Sequence, residues 1–331
     1  MDSNLDESRI QAELRQFKDV ERVHDLPPIQ SYWSQTFLAE KFRAIGFKGM
    51  WDYYVQSVLE VRSRESAPKT LRIVSIGSGN CDIEITLAER LLQAGESDFF
   101  VECLDINAKM LERGAAAAEA KGITRHLRFV VADLSEWSAE RDSVDVFFAN
   151  QSLHHIVALE KLFETIQHSM TPAGCLLTGD MIGRNGHMLW PEAHAVVRAL
   201  WNSIEQPKKL NHRSMKFDTE YPNKDFSDVG FEGIRAQDIL PLLVEHFHQD
   251  VFLGFTNITR PFVSRAYGPN YDPANQQDKQ FIKFVATLDD SLIDEGYLKP
   301  TQCFATFRKQ ASAQPRQYRH WSAAYSVRKV T

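Results

Sequence analysis

Cysteine is scarce in this sequence, and no long hydrophobic run occurs. Four cysteines stand far apart among 331 residues without a CxxC pair, so they predict no disulfide framework. No apolar run approaches the roughly 18 residues that a membrane-spanning helix needs. The acidic, polar start of the chain lacks the basic and then apolar pattern of a signal peptide. These absences predict a reduced, cytoplasmic protein with no membrane partner.

The overall composition is that of a globular protein. Hydrophobic residues make up 43% of the chain and charged residues 25%, proportions that exclude a disordered, collagenous or coiled-coil chain. The net charge of −6 argues against nucleic acid as a partner. The length allows two domains, or one α/β domain with sizeable additions.

The predicted elements divide the chain into five parts. These are an N-terminal helical cap at 1–66, a core at 67–183, a lid at 184–235, a segment at 236–309 that completes the core sheet and contains an insertion at 259–300, and a basic tail at 310–331. The cap is predicted from aromatic residues at helical spacing, with an acidic leading helix before them. A polar linker with a proline, at 63–70, ends it. The tail is interpreted as a mobile terminus, or as docked through Trp321 and Tyr325.

Seven short apolar runs alternate with helical stretches. The runs lie at 71–76, 99–106, 127–133, 144–151, 175–182, 249–258 and 301–309. Strands that alternate with helices in this way are typical of βαβ units, whose right-handed crossovers place helices on both faces of the sheet. The sequence therefore predicts an α/β fold with a doubly wound sheet of seven strands, mostly parallel.

A glycine-rich turn directly follows the first predicted strand. The sequence SIGSGN at 75–80 places Gly77 and Gly79 before a helix, where the backbone can approach a ligand and helix N–H groups point at it. The second strand ends in Asp105, whose carboxylate is placed to accept both hydroxyls of a ribose. This combination is typical of a site for a nucleoside-containing cofactor; the alternative is a turn that serves only the fold.

Asp82 distinguishes between two cofactors that such a turn could hold. A dinucleotide site has a third glycine at this position, close to the pyrophosphate. The carboxylate of Asp82 would put a negative charge there. S-adenosylmethionine carries no phosphate, and its ammonium group tolerates nearby acid. Charge therefore favours S-adenosylmethionine over a dinucleotide.

Five motifs in order resemble those of class I S-adenosylmethionine-dependent methyltransferases. They are IVSIGSGNCDIE, CLDINAKMLERG, VVADLSEW, VDVFFANQSLHHI and MTPAGCLLTGDMIG, and they cover about residues 70–183, with a late strand near 301–309. The resemblance is particularly to the small-molecule branch that includes quinone methyltransferases. It implies a Rossmann-like methyltransferase sheet that binds S-adenosyl-L-methionine, with a helical cap and helical lid insertions.

The resemblance also implies which residues contact the cofactor. They are Gly77, Ser78 and Gly79 in the turn, Asp105 and Ile106 at the second strand, Asp133 and Leu134 beside the adenine, and Asn150 and Gln151 at the fourth strand. The first motif departs from the family twice: Ser75 stands where an acid is common, and Cys81 replaces a common third glycine. The hydrogen bonds to the amino-acid part of the cofactor would then be rearranged, through Asp82, Asn150 or water.

Polar residues at the ends of the fourth and fifth strands are candidates for the methyl-transfer step. Ligands bind beyond the carboxyl ends of the strands, which places His154 and His155 near the transferred methyl group. An imidazole, with its ordinary pKa of about 6.5, could take a proton from a phenol or other hydroxyl. The alternative is an imidazole that only caps the next helix or bonds to backbone. Asp180, which ends the fifth strand, is the third catalytic candidate.

The segment after the fifth strand contains candidates for binding the substrate. Arg184 could clamp a carboxylate or phosphate, or could pair with a nearby acid. His187 and Trp190 are expected beside it. The aromatic and basic lid suits a planar or anionic substrate, although the same residues could simply pack a helical cap. No metal site is predicted, because no third ligand accompanies the histidines of this segment.

Three hypotheses for function follow. The leading one is an enzyme that methylates a small, aromatic or anionic molecule, with an oxygen acceptor preferred over nitrogen or carbon because of the histidines. The second keeps the fold but takes a protein or peptide, with the insertions as a docking surface. The third is a regulatory protein that binds the cofactor without turnover. Nucleic-acid methylation ranks below these, because the chain is acidic and lacks a motif for flipped bases. The oligomeric state is not predicted.

Overall fold

The chain folds around a central eight-stranded sheet. A computed structural model describes residues 26–64, 69–228 and 230–329; the predicted acidic leading helix lies outside the described residues. The strands are β1 (Leu71–Ile76), β2 (Phe99–Asp105), β3 (Leu127–Val131), β4 (Val144–Asn150), β5 (Met170–Met181), β6 (Leu210–Asn211), β7 (Lys216–Phe217), β8 (His248–Phe255), β9 (Gln302–Arg308) and β10 (Arg316–Gln317). Strands β6 and β7 form a separate small hairpin.

The order of strands places a cleft at the middle of the sheet. The order is β10-β8-β9-β5-β4-β1-β2-β3, and only β9 runs antiparallel to its neighbours. Strand β1 pairs with β2 on one side and β4 on the other, so the chain reverses its winding there. Ligands bind beyond the carboxyl ends of the strands at such a point. The predicted doubly wound, mostly parallel sheet is confirmed; β10, too short to be predicted from the sequence, adds an eighth strand.

Helices cover both faces of the sheet. They are α1 (Pro28–Trp33), α2 (Ala39–Ala44), α3 (Met50–Arg62), α4 (Asp82–Gln93), α5 (Ala108–Ala120), α6 (Leu159–Ser169), α7 (Pro191–Ser203), α8 (Ala236–His246), α9 (Arg260–Val263), α10 (Gln276–Asp294) and α11 (Ala323–Ser326). Apolar side chains of α3, α4, α5 and α10 form one core against the sheet, and those of α6, α8 and α11 form the other. None of the helices in the described ranges combines the length and the apolar character that crossing a bilayer requires.

The N-terminal helices pack directly on the sheet. Tyr53 and Tyr54 of α3 are fully buried, and both rings contact Phe304 of β9 at centroid distances of about 6 Å. Edge-to-face contacts of this kind are favourable between aromatic rings. The aromatic spacing of this part of the sequence therefore serves mainly the core, with Tyr54 at its inner end.

Aromatic residues attach the lid to the insertion that follows β8. Trp201 of α7 is fully buried. Its ring lies 5.5 Å from that of Tyr221 in the lid and 4.8 Å from that of Tyr267 in the insertion, both edge to face. These contacts pack the lid against the insertion. They agree with the alternative that the aromatic residues of the lid form a helical cap.

The described part of the basic tail docks on the body. Strand β10 pairs with β8 and forms the edge of the sheet. Trp321 is buried, and its indole N–H donates to Asp294 at 2.7 Å. Arg328 forms an ion pair with Glu192 at 2.9 Å. Acidic residues of the body therefore compensate the positive charge of the tail, and the docked alternative applies to residues 310–329.

A buried ion pair connects β9 to β8. The Nε–H of Arg308, whose side chain is 5% exposed, donates to Asp250 at 2.5 Å. We expect Arg308→Ala to lower the free energy of unfolding by about 3 kcal/mol, because the Asp250 carboxylate then stays buried without its main partner. Urea denaturation measures this. Lys309→Ala is the control, since its pair with Asp142 is exposed and its loss should leave the midpoint unchanged. Equal losses in both variants would contradict the prediction.

Candidate active site

The turn between β1 and α4 depends on its glycines. Gly77 and Gly79 have φ values of +66° and +52°, in the left-handed region that favours glycine. A Cβ atom on Gly77 would lie 2.8 Å from the Cβ of Ser152, so only glycine lets the turn approach the chain after β4. Cys81, at the place of the family's third glycine, keeps left-handed backbone with φ +60°. The turn therefore retains its shape, at a cost in strain at Cys81.

Asp105 connects this turn to the tip of β2. Its carboxylate accepts the backbone N–H of Gly79 at 2.7 Å and that of Asn107 at 2.8 Å. A carboxylate accepts several hydrogen bonds at once, which suits the hydroxyls of a ribose as well as backbone donors. The neighbouring Ile106 is 38% exposed and presents an apolar surface at the same tip. The structure thus brings these predicted residues together with the glycine turn.

A buried acid, which the sequence interpretation missed, lies beside the turn. Glu84 in the first turn of α4 is 4% exposed, and its Oε1 accepts the Ser75 hydroxyl hydrogen at 2.7 Å. No group of the described residues bonds to its buried Oε2. Burial raises the pKa of this carboxyl to about 7. Ser75 thus replaces the family's acid in the sequence, and Glu84 supplies a carboxyl beside it. The sequence does contain a signal for this buried acid: Glu84 lies on the same apolar face of α4 as Leu87 and Leu91.

Glu84 is expected to make the protein less stable as the pH rises. Its pKa is about 4.5 in the unfolded chain and about 7 in the folded one, so between these values only the folded state keeps the proton. Stability contributed by this group is therefore complete below pH 4.5 and is lost by pH 7, a difference of about 3 kcal/mol.

Glu84→Gln therefore should raise the free energy of unfolding above pH 7 and leave it nearly unchanged below pH 4.5. Urea denaturation of the ligand-free protein at both pH values measures this. Glu112→Gln, an exposed substitution on α5, is the control and should change neither value. A gain in the free energy of unfolding that is confined to low pH would contradict the raised pKa of Glu84.

The other predicted cofactor residues lie at the tips of β3 and β4. Asp133 is exposed just after β3, and Leu134 is half-buried. Asn150 ends β4, and its Oδ1 accepts the hydroxyl hydrogen of Tyr54 at 2.5 Å. Gln151 follows with φ +53°, a left-handed conformation that persists only where the surrounding structure enforces it. All the cofactor candidates therefore lie along the carboxyl edge of the sheet.

His154 and Asp180 form a buried pair behind the tip of β4. The carboxylate of Asp180, which is fully buried, accepts the Nδ1–H of His154 at 2.5 Å and the backbone N–H groups of Ser152 and Leu153 at 2.9 and 2.8 Å. Because a carboxylate only accepts, Nδ1 of His154 carries a proton, and Nε2 is the ring nitrogen on the side of Glu232. Enclosed by these donors, Asp180 orients His154, and its predicted catalytic role stays a prediction.

Three imidazoles surround one carboxylate beside this pair. We call His154, His155, His187 and Glu232 the histidine–glutamate cluster. The His187 Nε2 lies 2.8 Å from Glu232, and the Nε2 atoms of His155 and His154 lie 3.6 and 3.9 Å from it. Burial disfavours ionisation of Glu232, but the hydrogen bond of His187 and the neighbouring histidines outweigh burial, so its pKa lies well below the ordinary value. Burial lowers the pKa of His187 to about 4, against the opposing effect of that hydrogen bond.

Glu232 reaches the histidines because the lid folds back over the loop after β5. The backbone N–H of Gly186 donates to the Gly233 carbonyl at 2.9 Å. A Cβ on Gly233 would lie 3.0 Å from Cε1 of His187, and His187 itself has φ +57°. Sequence reasoning missed Glu232, because 45 positions separate it from His187 and it lies in irregular chain without periodicity.

Arg184 and Trp190 pack with the C-terminal segment. The guanidinium of Arg184 donates to the Leu189 carbonyl at 3.2 Å and lies 5.6 Å from the Trp190 ring. Arg328 covers the same ring at 4.0 Å and pairs with Glu192. The structure therefore brings the predicted His187 into the cluster but places these two residues against the docked tail.

Arg260 at the start of α9 adds a cation on the lid side. It is half-buried, and burial lowers the pKa of its guanidinium, with Tyr221 and Glu232 as opposing neighbours and Arg213 and Arg265 as like charges. Among the described side chains, no carboxylate forms an ion pair or hydrogen bond with it. A desolvated arginine in this state favours an anionic ligand.

Known proteins match the core of the chain. Residues 73–174 match a family model described as a methyltransferase domain. The tRNA 5-carboxymethoxyuridine methyltransferase of Escherichia coli (strain K12) is 26% identical over 113 residues, 34% of this chain and 41% of that relative. The chain thus matches less than half the length of this curated relative.

Solved structures of similar architecture cover most of the chain. A geranyl diphosphate methyltransferase in complex with GPP and sinefungin is 13% identical over 89% of this chain and 94% of its own, with a TM-score of 0.44. The geranyl diphosphate C-methyltransferase of Streptomyces coelicolor A3(2) is 13% identical over 89% and 96%, with a TM-score of 0.45. The [4+2]-cyclase SpnF is 11% identical over 86% and 96%, with a TM-score of 0.43.

The strand order, the glycine turn and Asp105 suit a nucleoside-containing ligand, and residues 73–174 carry a match to a methyltransferase domain. S-adenosyl-L-methionine is the cofactor that the sequence motifs imply for such a domain. The residues present fit that group. Glu84, with an unsatisfied carboxyl oxygen, suits its ammonium group, and Asp105 suits its ribose hydroxyls. The quinone-methyltransferase-like branch stays a prediction.

Proposed function

We propose that this protein transfers a methyl group from S-adenosyl-L-methionine to an oxygen atom of a small anionic molecule. The observation that carries the proposal is the position of the histidine–glutamate cluster. The cluster follows the tip of β4 and lies next to the glycine turn. The charge of Arg260 interacts with that of Glu232 in this cluster. The cluster offers imidazoles to an acceptor hydroxyl, and Arg260 offers a cation to its negative charge.

The transfer is an in-line displacement at the methyl carbon. The C–S bond breaks and leaves its electron pair on sulfur, the O–C bond forms, and the proton of the acceptor hydroxyl is released at the cluster. Alignment of the two reactants accounts for several kcal/mol of the barrier in such a step. His154 and His155 are proposed as the residues beside the reacting oxygen. The side chain of His155, 23% exposed against 4% for His154, is the more accessible to an acceptor.

A small molecule is proposed as the acceptor in preference to nucleic acid. The relative from Escherichia coli is named for tRNA, but the match covers 41% of it at 26% identity. The net charge of −6 opposes the binding of a polyanion. Transfer to a protein or peptide is treated as an outcome of the test.

The test is a transfer assay with methyl-labelled S-adenosylmethionine. The acceptors are hydroxylated acids, phenols, amines, a peptide mixture and bulk tRNA, each assayed separately. We expect label on an oxygen of one of the hydroxylated acids. Label on tRNA or peptide alone would overturn the proposed acceptor class. Tight binding of the cofactor without transfer to any acceptor would favour the regulatory alternative.

Arg260→Gln is expected to weaken the binding of an anionic acceptor. Removing the cation should raise KM about tenfold and change kcat much less, because a charge-assisted bond to the substrate is lost in the ground state and the transition state alike. Steady-state kinetics measures both constants. The control is Arg198→Gln, an exposed substitution on α7, which should leave both unchanged. A fall in kcat with constant KM would contradict a binding role.

A further inference from the structure

Three ligand atoms of the cluster are separated as they would be around one metal ion. His154, His155 and Glu232 each offer a nitrogen or oxygen, and these atoms lie within 4.8 Å of one another. Glu232 is 3.6 Å from Nε2 of His155 and 3.9 Å from Nε2 of His154. Ligand atoms around a tetrahedral ion with bonds of about 2.1 Å lie about 3.4 Å apart. The three side chains would therefore have to move closer together to bind one ion.

Two further side chains hold these ligands in orientation. Asp180 binds Nδ1 of His154, so that Nε2 faces Glu232. His187 donates to Oε1 of Glu232 at 2.8 Å, whereas His155 lies nearest to Oε2. Carboxylates and other groups hydrogen-bonded behind the ligands orient them in this way in metal centres.

The surroundings also suit a bound cation. Glu232 and Asp180 bring two carboxylates to the site, which match the charge of a divalent ion, and Arg260 then faces an anionic acceptor. The side chains of His155 and Glu232 are 23% and 33% exposed, so the site has access from the lid side. Catalytic zinc sites combine three protein ligands with an open position in this manner.

We propose that His154, His155 and Glu232 bind one divalent transition-metal ion of the zinc type, supported by Asp180 and His187. Two imidazoles and a carboxylate are donors that such ions accept readily. The sequence prediction of no metal site concerned the histidines after the fifth strand, whereas the ligands proposed here come from the chain after β4 and from the lid. A consequence rests on the proposed function: the ion would lower the pKa of an acceptor hydroxyl at the open position. His154 and His155 would then hold the ion, and water would take the proton in their place.

The test uses the full chain after treatment with a chelator, titrated with Zn²⁺ alone against a competing chromophoric chelator. We expect one equivalent to bind. Glu232→Gln should weaken this binding about 100-fold, and His187→Ala about tenfold, because the first removes a ligand and the second only a support. Glu220→Gln, an exposed substitution in the same lid, is the matched control and should bind as the wild type does. Substituted Co²⁺ should show the visible bands of a four-coordinate site in the wild type and lose them in Glu232→Gln.

Cofactor binding shows that each variant is folded, since S-adenosylmethionine affinity should stay the same in all of them. If Glu232→Gln does not fold, His155→Ala replaces it with the same expectation. The proposal is overturned if the wild type binds no equivalent of Zn²⁺, or if Glu232→Gln or His155→Ala binds it as tightly as Glu220→Gln. Since no acceptor or transfer is involved, failure of the metal site and failure of the methyltransferase proposal give separate results.

Discussion

Replacing Asp105 with asparagine is expected to weaken the binding of S-adenosyl-L-methionine about 100-fold. The carboxylate accepts the backbone N–H groups of Gly79 and Asn107 at 2.7 and 2.8 Å, and we expect it to accept the ribose hydroxyls as well. Asparagine offers one acceptor oxygen where the carboxylate offers two, and it removes the negative charge. Each hydrogen bond to a charged group contributes about 1.5–3 kcal/mol, so a loss of about 3 kcal/mol, or 100-fold in affinity, is expected.

Calorimetric titration with S-adenosylmethionine measures this loss. Glu112→Gln on α5 removes one carboxylate away from the strand tips and is the control, with wild-type affinity expected. Circular dichroism confirms that Asp105→Asn keeps its secondary structure. Affinity within threefold of the wild type would rule out Asp105 as the ribose-binding residue.

Asp180→Asn is expected to disable the acceptor side of the site while the cofactor side stays intact. The amide of asparagine keeps the shape of the side chain, but it cannot accept the Nδ1–H of His154 and the N–H groups of Ser152 and Leu153 together. His154 then loses its tautomer and orientation. We expect kcat for methyl transfer to fall at least 100-fold and Zn²⁺ affinity to fall 10- to 100-fold.

Asp145→Asn is the matched control for this substitution. Asp145 is also buried, but it lies at the start of β4, away from the carboxyl edge of the sheet, where it accepts the backbone N–H of Arg72 at 2.9 Å. Both variants should lose stability in urea, whereas only Asp180→Asn should lose turnover and Zn²⁺ affinity. S-adenosylmethionine affinity should stay within a few-fold in both. Equal turnover in the two variants would show that Asp180 has only a structural role.

The site has two halves, and each of these two variants is expected to affect only one of them. Asp105, the glycine turn and Glu84 lie around β1 and β2, whereas the histidine–glutamate cluster lies beyond β4 and β5 with the lid. The two halves meet at Gly77, where the turn can approach Ser152 closely because glycine has no Cβ atom. A substitution on one side should therefore leave the equilibrium binding on the other side largely unchanged, since no described hydrogen bond connects Asp105 with Asp180.

Much of the fold was predictable because its signals are local. Strand β1 occupies the predicted residues 71–76, and β4 ends one residue before the predicted boundary. A buried parallel strand needs a continuous apolar run, which is visible in the sequence. Asp105 was predictable for a similar reason, since its position at the end of such a run places it at the ligand edge of the sheet.

Other features were not predictable, because they depend on contacts between distant segments. The tail was interpreted as mobile or docked, and only the pairing of β10 with β8 decides between these for the described residues. The role of Asp180 depends on which donors surround it after folding. Arg184 was predicted to bind the substrate or to pair with an acid. In the structure it lies beside the Trp190 ring, which Arg328 of the tail also covers, and this arrangement follows from how the tail packs.

The sequence by itself determined the class of the fold, the cofactor turn and the acid at the tip of β2, because short-range periodicity and the backbone freedom of glycine specify them. Only the tertiary structure decided that Glu84 lies beside Ser75, that Glu232 reaches three histidines and that the charge of Arg260 acts on Glu232. The physical reason is that burial and the charge of neighbours change what a side chain does, and both depend on residues that the chain brings together only when it is folded.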